Sequence, residues 1–157
     1  MFNKLVFASI IALSSLTAQT VSARSIMVQT SPVVFSIDKR LKSADLGDIN
    51  EYHFELHRDG TWSYVETKSQ AIVKRGSGKL SRAKVQKIEG LLKGTWTTTH
   101  ADITCMAFSP FQELYSVNGK LVFTDEMCGS ERLDAGPSKR LENIMTIVRP
   151  LIASMVK

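Results

Sequence analysis

Glu51-Tyr52-His53-Phe54-Glu55-Leu56-His57-Arg58-Asp59-Gly60-Thr61-Trp62-Ser63-Tyr64-Val65-Glu66-Thr67 is the stretch on which the reading of this chain turns. Tyr52, Phe54 and Leu56 alternate with His53, Glu55 and His57, the two-residue period of a strand with one buried face. Past Asp59-Gly60 the alternation resumes, with Trp62, Tyr64 and Glu66 set against Ser63, Val65 and Thr67. Two alternating runs about an Asp-Gly pair predict a β-hairpin.

Working outward toward the carboxyl end, Ala71-Ile72-Val73 starts a third strand. It is expected to give way to a glycine-rich turn, Lys74-Arg75-Gly76-Ser77-Gly78-Lys79. Ser81 is a suitable N-cap, Val85, Ile88, Leu91 and Leu92 recur at helical spacing, and Gly94 stands where a C′ glycine belongs. These signals predict a helix over 82–93 with one apolar stripe for the sheet. Residues 95–104 are β-prone. Phe111–Val117 and Leu121–Thr124 flank Asn118-Gly119, the sharpest hairpin signal in the chain. Pro137-Ser138 opens a last helix carrying Leu141, Ile144, Met145 and Val148, then Leu151, Ile152 and Met155. Pro150 lacks an amide proton and is expected to kink or divide it.

Toward the amino end, residues 24–50 read as an extension. Val33-Val34-Phe35-Ser36-Ile37 is a candidate strand in it, with Pro32 suited to a strand beginning or an edge. Lys39 to Asp48 reads as a charged loop or short helix. The whole predicts an α+β fold over one domain, 51–157, in the order ββ-α-ββ-α. Its antiparallel sheet is built from β-hairpins, with one helix packed on it and a C-terminal helix.

Residues 1–23 have the layout of a secretory signal peptide. Lys4 precedes the apolar run Leu5–Leu13, and the small-residue site Val21-Ser22-Ala23 precedes Arg24. The run is too short to span a bilayer, and no later stretch predicts a membrane span in the mature chain. The expected product is periplasmic or secreted after cleavage near Ala23. The chain has 157 residues, 20 Lys and Arg against 15 Asp and Glu, and a net charge of +5. Losing Lys4 with the leader leaves 19 against 15, or +4, a mildly basic body suited to acidic surfaces. In an oxidising compartment the two cysteines, Cys105 and Cys128, are expected to form one disulfide. Closing that loop is worth about 3 kcal/mol in the chain-entropy model.

Three constellations carry chemistry. His53, Glu55 and His57 share one strand face, and two imidazoles with a carboxylate are sound zinc ligands, so they form a candidate metal site. A solvated strand face is the stronger account of them, since Tyr52, Phe54 and Leu56 occupy the other side. Gly76-Ser77-Gly78-Lys79 fails as a phosphate loop, because Leu80 follows the lysine where Ser or Thr is needed. Lys74, Arg75, Lys79, Arg82, Lys84 and Lys87 make a basic patch, either a solvated helix face or a contact for an anionic envelope surface. Few aromatics interleave with it, so nucleic acid is not expected. No serine-nucleophile elbow or paired zinc-histidine helix occurs, and neither an enzymatic activity nor a cofactor is expected.

Cys105-Met106-Ala107-Phe108-Ser109-Pro110, the hairpin Leu114–Lys120 and the closing Cys128 resemble the second half of the subtilisin-inhibitor-like family of secreted bacterial protease inhibitors. The resemblance implies a substrate-like loop of Met106, Ala107, Phe108 and Pro110, held by the disulfide and presenting the Met106 or Ala107 carbonyl to a serine protease. A loop held in its docking shape loses little entropy on binding. The functional expectation is thus a small exported binding protein that recognises another protein through residues 105–110. The alternative is an envelope or secreted accessory factor, for instance in virulence, that binds acidic surfaces through its basic helix face.

Overall fold

A computed structural model of the chain describes residues 31–41, 50–102, 110–126 and 128–155. The order is β1 (Val33–Leu41), β2 (Glu51–His57), β3 (Thr61–Lys68), β4 (Ala71–Lys79), α1 (Arg82–Leu92), β5 (Thr98–His100), β6 (Phe111–Val117), β7 (Lys120–Glu126), β8 (Glu131–Leu133) and α2 (Ala135–Met155). It is an α+β fold dominated by one six-stranded sheet, β4-β3-β2-β1-β6-β7, with every pairing antiparallel. β5 and β8 form a separate two-stranded sheet.

Both expected hairpins form. Phe54 and Leu56 lie opposite Tyr64 and Trp62, and all four are buried. The turn between them needs the positive φ of Gly60, +87°, which glycine adopts without strain. At Asn118-Gly119 both residues have positive φ, the signature of a type I′ turn whose twist matches the strands it joins. One side of the sheet carries Phe35, Ile37, Phe54, Leu56, Trp62, Tyr64, Tyr115, Val117 and Phe123. Against them pack Val85, Ile88 and Leu92 of α1 and Leu141, Ile144, Met145 and Val148 of α2. The two helices also touch each other.

Four expectations are corrected. The candidate strand within 24–50 is the longer β1, and it lies in the interior of the sheet, bonded to β2 on one side and β6 on the other. The described part of that extension therefore belongs to the same sheet as the residues from 51 onward. Its run of buried residues has a mechanical cause: the register jumps between Val33 and Phe35, so Val34 is a bulge residue and both it and Phe35 turn inward.

The glycine-rich turn after Val73 is not a turn, because β4 continues through it to Lys79. A Cβ on Gly78 would stand 2.7 Å from the Trp62 ring, so glycine there permits a close approach rather than a bend. Only Thr98–His100 of the β-prone stretch 95–104 is a strand among the described residues. Finally, α2 begins two residues before Pro137 and runs unbroken past Pro150. The expected division is absent because Leu141, Ile144, Met145 and Val148 before the proline, and Leu151, Ile152 and Met155 after it, bind one continuous core.

Candidate functional site

The sheet carries its helices on one side only, so the opposite side is where the strands present polar groups. β2 places His53, Glu55 and His57 there, and the pairing Asp38↔His53 brings an aspartate of β1 beside them. The side chains form a line. Arg40 lies 3.3 Å from Asp38, whose Oδ1 is 2.7 Å from His53 Nδ1. His53 Nε2 is 3.0 Å from Glu55 Oε1, and His57 Nε2 is 3.8 Å from Glu55 Oε2. His57 Nδ1 reaches the Ser31 carbonyl at 2.6 Å, which makes it the donor there.

The candidate metal residues His53, Glu55 and His57 all stand in this line. Among the described residues no group of three or more His, Cys, Asp or Glu side chains is placed to hold a metal ion. The reason is visible at His53, where both ring nitrogens are engaged by carboxylates and no lone pair is left to converge with those of His57 and Glu55. Partial burial disfavours charge on this imidazole. The hydrogen bonds it donates to Glu55 and Asp38 and the charges of both acids outweigh that, so its pKa stands above the ordinary 6.5.

The basic residues are distributed by β4 and α1. Alternation along β4 sends Arg75 and Lys79, opposite Val65 and Thr61, to the helix-free side, and sends Lys74, opposite Glu66, to the other. On α1, Val85, Ile88 and Leu92 define the buried stripe. Helical spacing then puts Arg82 on one flank of it and Lys84 with Lys87 on the other. The six cations thus wrap one margin of the molecule rather than share a face. Among the described residues none of the six lies within ion-pair distance of a carboxylate.

Residues 105–109 of the candidate inhibitory loop, including Cys105, Met106, Ala107 and Phe108, lie outside the described residues. Pro110, half-buried, leads into β6. On the other side of the gap the Ala101 amide donates to the Ser130 carbonyl at 2.6 Å, where β5 runs against β8. Cys128 stands two residues from that contact, and no cysteine among the described residues is free.

Two features had no sequence signal. On the helix side of the sheet, Glu113 accepts hydrogen bonds from Tyr52 at 3.0 Å and Tyr115 at 2.6 Å, and Glu66 accepts from Tyr64 at 3.1 Å. Burial, reinforced by the adjacent glutamates, raises all three phenols, with Tyr64 pushed up to about 12. Beside Tyr115, a cavity of about 700 Å³ opens between β6, β7 and α2, lined by Phe123, Asp125, Met145 and Arg149. Only long-range pairing brings these residues together. Comparison with known protein families, with curated proteins and with solved structures finds no match.

Proposed function

We propose that this chain is an exported binding protein, held by a Cys105–Cys128 bridge, whose basic β4–α1 margin engages an acidic surface. The observation that carries the reading is the set Lys74, Arg75, Lys79, Arg82, Lys84 and Lys87. They surround one edge of the sheet and have no carboxylate at ion-pair distance among the described residues. Lys79 acts on the carboxylate of nearby Asp59, but cations with no carboxylate in direct contact keep much of their field for an external anion. The test is cosedimentation of the exported protein with phosphatidylglycerol vesicles. Binding at low salt that weakens several-fold on raising ionic strength supports the reading, and no binding at low salt ends it.

A second reading keeps the 105–110 loop as a protein-recognition element aimed at a serine protease. It draws on the Ala101–Ser130 hydrogen bond and the β5–β8 ladder, which tie down the strand that feeds this loop. Incubation with a panel of subtilisin- and trypsin-like proteases decides it. Inhibition at micromolar concentration supports the loop, whereas rapid cleavage after Met106 removes it.

A further inference from the structure

At the end of the sheet away from α1, β3 turns into β4 through Ser69 and Gln70, both with positive φ. The register across this hairpin then slips: Glu66 pairs with Lys74 and Thr67 with Ile72, which leaves Val73 as an extra residue. The bulge interrupts the inward–outward alternation. As a result two consecutive large apolar residues, Ile72 and Val73, are each 49% exposed on an outermost strand. Apart from Leu121 they are the only large hydrophobics so exposed among the described residues. Lys74 and Arg75 follow immediately.

Apolar side chains at a hairpin tip, backed by cations, match a bilayer with anionic headgroups. The apolar groups reach the acyl boundary while the cations stay at phosphate depth. The nearest acids are occupied within the fold. Glu66 accepts from Asn50 and Tyr64, and Glu51 accepts from the Leu41 amide. The competing occupant of an open edge is another strand. Here the bulge and the flanking cations are the devices that discourage edge-to-edge pairing.

We infer that the β3–β4 hairpin tip inserts Ile72 and Val73 into the interface of an anionic phospholipid bilayer, with Lys74 and Arg75 on the headgroups. This rests on the acidic-surface reading above and adds the partner and the depth of contact. The test uses phosphatidylglycerol vesicles with and without brominated acyl chains, and compares wild type with I72W, I72S/V73S and K74Q/R75Q. The brominated chains should quench I72W well beyond the wild-type background. I72S/V73S should keep low-salt binding but lose roughly tenfold of the partition that survives high salt. Removing each cation should cost about fivefold.

Low-salt binding without excess quenching of I72W, and with I72S/V73S unchanged, overturns insertion and leaves the electrostatic reading intact. No low-salt binding by any variant overturns both. Concentration-dependent dimerisation abolished by I72S/V73S, without vesicle quenching, assigns the tip to a second copy and overturns the lipid proposal. All substitutions fall at exposed or half-buried positions of β4, and matching circular dichroism melts confirm that they fold.

Discussion

His53 shows how much one side chain's surroundings decide. Flanked by Asp38 and Glu55, it holds its proton more tightly than a free imidazole. A raised folded-state pKa adds stability that is fully present below the unfolded value near 6.5 and is lost as pH rises through the higher folded value. Thermal melts should therefore fall between about pH 6 and 8 in wild type. They should be flatter in H53Q. A wild-type profile no steeper than that of the variant refutes the coupling. Gly78 makes a second case. Gly78→Ala forces a methyl against the rigid Trp62 ring and should cost about 1–3 kcal/mol. Gly76→Ala should be milder, because the group it meets is the flexible end of Met155, and chemical denaturation of the two variants will rank them. Neither contact has a sequence signature. The strand that carried His53 was readable from its period, but Asp38 beside it was not, because the register of β1 against β2 joins residues fifteen positions apart.

At the scale of elements, legibility followed local chemistry. Asp59-Gly60 and Asn118-Gly119 carry the residues their turns demand, and both hairpins stand where those pairs predict them. The Ser69-Gln70 turn uses the same left-handed region without glycine or asparagine, so nothing announced it, and β4 was read as ending in a glycine-rich turn. Substituting S69N/Q70G should relieve that backbone and stabilise the protein by a few tenths to about 1 kcal/mol. A lowered melting temperature would show that the present residues make compensating contacts. The unbroken α2 teaches the complementary lesson. A proline removes one backbone bond, and a core stripe extending on both sides of it outweighs the loss.

For the molecule as a whole, the fold class was legible but the strand order was not. Periodicity reports that a strand has a buried face; it says nothing of which neighbours the strand will find. Thus β1, read as part of an extension, supplies Val34, Phe35 and Ile37 to the core. Ile37→Ala should cost about 2–5 kcal/mol, a loss typical of a central strand and readable by urea titration. A loss under 1 kcal/mol would contradict its place at the centre. The proposed bridge acts at the same scale, tying the connection before β6 to the one after β7. Reduction should lower stability by about 3 kcal/mol, and an unchanged unfolding midpoint under reductant would rule the bridge out.

The interior position of β1 also orders events in time. A chain that emerges amino end first can assemble β1 through β4 and lay α1 upon them. One side of its first strand nevertheless stays bare until Val117 has followed, because β6 is the only described strand that bonds there. Closure must await the distal third, so a nascent chain carries an unsatisfied ladder that a holding factor would have to shield.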